Sequence, residues 1–291
     1  MNTIWSDHVQ GIDTLYLTRS LRFNDFFKDQ YLQHFALDRK KKLRILEIGC
    51  GPGALAESLH RWYPCAEIFG LDRDSHFISY AREHIRDVTF MEGDATALPF
   101  GDDSFDVTIS NTVSEHIEPS AFYAEQRRVL KKGGVCLVLS ARKGINLPAP
   151  GLENNAYERA FWEKVNMYDH AMEDYQVCKY PMSEAEMPLA MEKYGFTDIQ
   201  TNYAVIPLTP DDPAYSKEMA LRMINAGRHC ALDAVYSAIR TVPEHISREE
   251  ADIVISLINQ KYDHRIQQYL HGEKLWNTNV SLTMILRGEK P

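Results

Sequence analysis

The chain has 291 residues, 44% of them hydrophobic and 25% charged, with a formal net charge of −9. This is a globular composition, sized for one large domain or a core with an insertion. The acidic balance argues against nucleic acid, whose phosphates call for a basic face. No apolar stretch is long enough to span a bilayer. The N-terminus lacks the basic and apolar regions of a secretory signal. The five cysteines (50, 65, 136, 178 and 230) form no C-x-x-C pair, which argues against a disulfide framework or a zinc site. A cytoplasmic setting and a small-molecule partner are expected. The basic run at residues 37–44 reads as a solvated connector.

Residues 13–36 predict a helix, because Phe23, Phe27, Tyr31 and Phe35 recur at a spacing of four. The chain then alternates. Apolar strands are expected at "LRILEIG", "AEIFGLD", "VTFMEGD", "FDVTISN" and "GGVCLVLSA". Helices are expected at "ALAESLHRWY", "SHFISYAREHI" and "SAFYAEQRRVLKK". Such alternation predicts βαβ units and a parallel sheet. Residues 142–182 break the rhythm with two prolines and many aromatics. A helix at "SEAEMPLAMEKYG", with Ser183 and Glu186 as a capping box, and a strand at "FTDIQTNYAVIPL" follow. Residues 211–276 read as helical, with a second capping box at Ser247 and Glu250, and "VSLTMILRGEK" as a last strand.

The stretch Glu47-Ile48-Gly49-Cys50-Gly51-Pro52-Gly53 joins the first strand to a helix. Glycines there permit tight turns and close approach of a ligand, and the helix N-terminus favours polar or anionic groups. Gly49, Gly51 and Ala54 also fit the dinucleotide pattern G-x-G-x-x-G/A, and Asp72, some twenty residues on, suits ribose hydroxyls in either setting. Glu47 separates the two readings. The position is normally apolar in a dinucleotide-binding strand, whereas a carboxylate suits a cofactor with cationic groups. After the third strand, Asp94 and the amide of Ala95 are placed to read an adenine edge.

With "LEIGCGPG", "GLDRD", "GDATALPF", "FDVTISNTVSEHI" and "RRVLKKGG" in order across residues 43–140, the chain resembles the class I S-adenosylmethionine-dependent methyltransferases, of the kind found in ubiquinone and menaquinone biosynthesis. One departure is Lys132, where the family most often has proline; it lies in a surface turn. The resemblance implies an α/β fold, a Rossmann-like seven-stranded sheet, mostly parallel with an antiparallel last strand. It implies S-adenosylmethionine as cofactor and S-adenosylhomocysteine as product. Glu47, Gly49 and Gly51 would surround the methionine part, Asp72 the ribose, Arg73 the adenine face, Asp94 and Ala95 the adenine edge. Asn111 would lie near the amino group and the transferred methyl.

The expected organisation is an N-terminal helical lid (1–40), a core (43–210) with an acceptor-site cap (142–182), a helical insertion (211–276) and a final core strand (277–291). Tyr16 and Arg19, three apart on the first helix, can face one side, and Arg19 could pair with the cofactor's carboxylate. His116, after the fourth strand, is the leading candidate for a general base; the competing reading is a structural histidine opening the next helix. Trp162, Tyr168 and His170 are candidate acceptor contacts, against packing within a helical cap. No metal constellation is present in the pattern. The alternatives are a catalytically silent cofactor-binding scaffold and an NAD-dependent oxidoreductase. The insertion could also mediate homodimerisation.

Overall fold

The structure, a computed structural model, describes residues 5–167 and 177–291. The chain opens with α1 (Trp5–His8), α2 (Ile12–Arg22) and α3 (Lys28–Phe35). The single helix expected over residues 13–36 is therefore broken. Asn24 is extended (φ −66°, ψ 146°) and its side chain accepts from the Phe26 N–H, opening a short 3-10 turn at Asp25–Phe27. A short polar side chain competes with the helix for backbone groups in this way. Past the break, Phe23, Tyr31 and Phe35 are buried together, and Tyr31 stacks on Trp62 at 5.4 Å.

The alternating elements follow: β1 (Arg44–Ile48), α4 (Ala54–Trp62), β2 (Glu67–Asp72), α5 (Ser75–His84), β3 (Thr89–Glu92), β4 (Phe105–Asn111), α6 (Pro119–Val129) and β5 (Leu130–Leu147). Then come α7 (Ala156–Asn166), α8 (Glu186–Lys193), β6 (Thr197–Leu208), α9 (Lys217–Thr241), α10 (Arg248–Leu270) and β7 (Thr278–Glu289). They form a seven-stranded sheet in the order β3-β2-β1-β4-β5-β7-β6, parallel from β3 to β5, with β7 antiparallel. β5 outruns its expected end at Ala141; the extra residues are mostly exposed and carry little apolar signal. The helix after residue 182 starts at Glu186, although the Ser183–Glu186 bonds of the box do form.

The chain divides into two compact units. The sheet unit comprises Arg22–Lys143, Val177–Ile206 and Leu282–Pro291. Its core holds Leu46, Ile48, Leu71, Leu98, Phe105 and Val129, and a second cluster gathers Phe122, Tyr123, Cys136, Met187, Met191, Met284 and Leu286.

The helical unit comprises Met1–Leu21, Gly144–Gln176 and Pro207–Ser281. Phe161 of α7 is buried there with Val235 and Ala238 of α9 and Ala251, Val254 and Ile258 of α10. Two capping boxes interlock α7 with α10. Glu158 accepts from the Asn155 N–H at 3.0 Å and from Lys261 Nζ at 2.6 Å. Glu250 accepts from the Ser247 N–H at 2.9 Å and from Lys164 Nζ at 2.9 Å. Each helix start is thus closed by a glutamate that also holds a lysine of the other helix. Farther along α10, Arg265 and Asp211 form a buried ion pair at 2.6 Å, each side chain 1% exposed. Asp211 also accepts from the Leu275 and Trp276 N–H groups.

Candidate active site

In the order β2-β1-β4, the chain leaves β1 toward one side of the sheet and returns to fill the other. Ligands of open α/β sheets bind at the carboxyl ends of strands around such a point. The glycine loop leaves β1 there. The Gly49 and Cys50 N–H groups both donate to Leu71 O, at 2.7 and 3.0 Å, which ties the loop to β2. Gly49 has φ +67°, and a Cβ built on it would lie 2.4 Å from Val113 Cγ2. Only glycine satisfies both the backbone and the space at this position. Gly53, at φ 89°, forms the N-cap of α4, so the helix's first amides open toward the same region.

Asp72 ends β2. Its Oδ2 accepts from the Gly51 N–H at 2.8 Å and its Oδ1 from the Asp74 N–H at 2.9 Å. Burial pushes the Asp72 carboxyl above its usual range, while those two amides pull it back. Each carboxylate oxygen keeps a further lone pair, so the group can accept from two hydroxyls while still bracing the loop. Asp74 is buried and caps α5 by accepting from the His76 and Phe77 N–H groups. Arg73, between these two acids, is exposed.

Glu47 is 2% exposed in β1, in register with Gly70 of β2 and Ile109 of β4. Burial, followed by the charges of Asp72 and Glu47, raises the thiol of Cys50 well above its ordinary value. Asp94 and Ala95 follow β3, beside Asp72: the Gly93 N–H donates to Asp72 O at 2.9 Å. Asp94 Oδ1 accepts from the N–H and hydroxyl of Thr96, closing a local turn that fixes the carboxylate.

Asn111 ends β4, paired with Leu139. Beyond it Thr112 takes φ +54°, and Ser114–His116 form a 3-10 turn whose Val113 packs on the glycine loop. His116 Nδ1 accepts from the Cys178 N–H at 2.9 Å, and the Tyr180 N–H donates to Glu115 O at 2.8 Å. Burial lowers the His116 pKa and Arg73 adds to this, against the pull of Glu115.

Glu47, Gly49, Gly51, Asp72, Arg73, Asp94, Ala95, Asn111 and His116 therefore all lie in the sheet unit, at or just past the ends of β1 to β4 apart from Glu47 inside β1. Tyr16 and Arg19 lie half-buried on α2, in the helical unit. Trp162 sits against the apolar cluster of that unit, its ring 5.0 Å from Phe161. Tyr168 and His170 lie outside the described residues. Val113, Cys178 and Tyr180 were not foreseen. The last two act through backbone amides, which leave no mark on side-chain identity. Among the described residues, no group of three His, Cys, Asp or Glu side chains is arranged to hold a metal ion.

Residues 46–138 match the methyltransferase domain family. Over 109 residues the chain is 39% identical to a fatty-acid O-methyltransferase of Mycolicibacterium smegmatis, covering 36% of this chain and 39% of that one. Over 97 residues it is 36% identical to a demethylmenaquinone methyltransferase of Thermotoga maritima, covering 33% and 42%. The chain thus spans about two fifths of the length of these relatives. The solved structure of Haemonchus contortus phosphoethanolamine N-methyltransferase 2 in complex with S-adenosyl-L-methionine superposes with a TM-score of 0.53 at 20% identity, covering 99% of this chain and 59% of that one; the likeness is one of fold.

Proposed function

We propose that this chain, which carries a class I S-adenosylmethionine-dependent methyltransferase domain over residues 46–138, transfers a methyl group from that cofactor to a small-molecule acceptor through an oxygen, nitrogen or carbon nucleophile. The observation that carries this reading is Asp72, whose carboxylate is braced by the Gly51 and Asp74 amides beside a loop that excludes a side chain at Gly49. A buried acid in β1, Glu47, favours a cofactor with cationic groups over NAD.

The bound cofactor supplies a sulfonium methyl that is already activated. The chain's own residues hold and orient. Asp72 takes the ribose hydroxyls, Asp94 and Ala95 the adenine edge, and Arg73 lies along the adenine. Glu47, Gly49, Gly51 and Asn111 surround the methionine part, and Tyr16 and Arg19 are assigned to its carboxylate end. Residues 1–40 are assigned the part of a lid and residues 142–182 that of the acceptor cap, with Trp162, Tyr168 and His170 as acceptor contacts. Holding a nucleophile in line with the breaking bond supplies up to about 7–11 kcal/mol in well-oriented cases, so positioning is the main task.

Calorimetric titration with S-adenosylmethionine, S-adenosylhomocysteine and NAD tests the reading. Micromolar binding of the two sulfur compounds and none of NAD is expected, followed by turnover in a labelled-methyl acceptor screen. Binding without turnover of any acceptor would favour the scaffold; binding of NAD alone would favour the oxidoreductase. No helix among the described residues is long and apolar enough to cross a membrane. A cytoplasmic location accords with the absence of a disulfide among the described residues. Self-association through residues 211–276, where Tyr236 and Ile253 are exposed, is checked by sedimentation of the wild type against a Tyr236→Glu/Ile253→Glu variant.

A further inference from the structure

The residues assigned to a lid divide between the two units, and α1 and α2 up to Leu21 belong to the helical one. There they are fastened to α9 by four of its side chains, in antiparallel order. Arg240 Nη1 donates to Asp7 O at 2.8 Å and the Ser237 hydroxyl to His8 O at 3.3 Å, taking carbonyls that the end of α1 leaves without helical partners. Asp233 Oδ2 accepts from the Gly11 N–H at 2.9 Å. Gly11 O in turn accepts from the Leu15 N–H, so Gly11 opens α2, and the carboxylate sits where the helix dipole favours an anion. The approach is close: a Cβ built on Gly11 would lie 3.0 Å from Asp233 Oδ1. Near the other end of α2, Arg222 Nη2 donates to the Ser20 hydroxyl at 2.8 Å.

At about 100° per residue, Arg222, Asp233, Ser237 and Arg240 fall within about 60° of one another around α9. Val235 and Ala238, buried with Phe161 of α7 and with α10, lie about 130–190° round from that stripe. One face of α9 thus carries the N-terminal helices, and the opposite face carries the helix assigned to the acceptor cap. Two fixed points, Gly11 and Ser20, set the position of α2 along its axis and its rotation about it, and Tyr16 and Arg19 lie between them. Resting on the methyltransferase reading, we propose that residues 211–276 serve cofactor binding. α9 is the seat of the lid helix α2, and Asp233 and Arg222 are positioning residues that hold Tyr16 and Arg19 in place for the carboxylate end of S-adenosylmethionine. They act through α2, by keeping one placement of that helix populated. Apparent affinity falls in proportion to the fraction of molecules in the competent placement.

Two measurements on the full chain test this. Hydrogen–deuterium exchange follows residues 8–21, with α10 as the internal control for folding, and calorimetry gives the affinity for S-adenosylhomocysteine. Asp233→Ala is expected to raise exchange in residues 8–21 while α10 keeps its protection, and to weaken S-adenosylhomocysteine about fivefold or more. Asp233→Asn keeps an oxygen for the Gly11 amide and is expected to stay within about twofold of wild type. Arg222→Ala frees the other end of α2 and is expected to move both readouts in the same direction; should Asp233→Ala also cost α10 its protection, this variant carries the test. In a Tyr16→Phe/Arg19→Ala background the loss from Asp233→Ala is expected to shrink to about twofold or less, because the groups it positions are gone. Unchanged exchange in both Asp233→Ala and Arg222→Ala overturns the seat. An affinity loss that Asp233→Asn shares, or that persists in full in the Tyr16→Phe/Arg19→Ala background, overturns the positioning role. If Tyr16→Phe/Arg19→Ala binds as tightly as wild type, the assignment of α2 to the cofactor falls and the positioning role with it. If the wild type fails to bind S-adenosylhomocysteine, the methyltransferase reading falls instead, and exchange still decides the seat.

Discussion

Gly49→Ala isolates the packing of the cofactor loop. Two costs add. A left-handed backbone costs a residue with a Cβ about 1–2 kcal/mol, and Gly49 has φ +67°. The new Cβ would also lie 2.4 Å from Val113 Cγ2 and 3.2 Å from Cγ1, where overpacking costs about 1–3 kcal/mol. The sum is about 2–5 kcal/mol. The two costs can be separated, because Val113→Ala removes both γ carbons and leaves Val113 Cβ at 3.4 Å, an ordinary contact. In that background Gly49→Ala should cost only the backbone part, about 1–2 kcal/mol. Urea denaturation of the two single variants, the double variant and wild type measures the difference as a coupling energy. A coupling of about 1–3 kcal/mol in the favourable sense is expected. Additivity within about 0.5 kcal/mol would refute the claim that Val113 is what keeps position 49 bare.

Asp72→Asn keeps an acceptor oxygen for a bracing amide but loses the charge, and should weaken S-adenosylhomocysteine at least tenfold, on the scale of about 1.4 kcal/mol or more, with the fold retained by circular dichroism. Asp72→Ala should in addition lower stability by about 1–3 kcal/mol per orphaned amide, those of Gly51 and Asp74. Asp211→Ala leaves Arg265, 1% exposed, without its carboxylate and should destabilise the helical unit by about 3–5 kcal/mol in denaturant unfolding; a loss below about 1 kcal/mol would show the pair to be solvated. Glu250 is held down at about 2, first by the Ser247 hydroxyl and amide and then by Lys164. Its folded value lies below its unfolded one, so its contribution is complete above about pH 4.3 and is lost as pH falls toward the folded value. With the side chain 37% exposed, that contribution is about 1 kcal/mol or less. Ser247→Ala should narrow the stability difference between pH 5 and pH 2.5, and an unchanged difference counts against the box.

Much of the sheet unit was readable because its strands are short apolar runs ended by glycine or acid, as at Leu46–Gly49 and Phe69–Asp72. The Ser247–Glu250 box was readable because a cap requires fixed residue types at fixed spacing, and both of its bonds form. The interlock of α7 with α10 was not. Asn155 and Glu158 have the spacing of a cap, but Lys261 is 103 residues from its glutamate, and periodicity carries no information on which distant cation a buried acid meets. The break at Asn24 was hidden because Phe23 and Phe27 keep helical spacing across it. At the site, side-chain types pointed to the glycine loop, Asp72 and His116. The partner of His116 Nδ1 is a backbone amide 62 residues away, which any residue at position 178 other than proline would offer.

The path of the chain has a consequence for synthesis. It passes from one unit to the other at residues 21, 143, 176, 206 and 281, so neither unit is a single stretch of sequence. β7 is made after every other strand, yet it lies inside the sheet, between β5 and β6. While the ribosome is still adding the preceding helices, β5 therefore presents an open edge with Cys136, Leu137, Val138 and Leu139 in mid-strand. β7 can take its place between β5 and β6 only after α9 and α10, which precede it in the chain, have been made. This chain should accordingly lean on chaperones during translation, and its aggregation in a cell-free synthesis should fall when a chaperone is added before, not after, release.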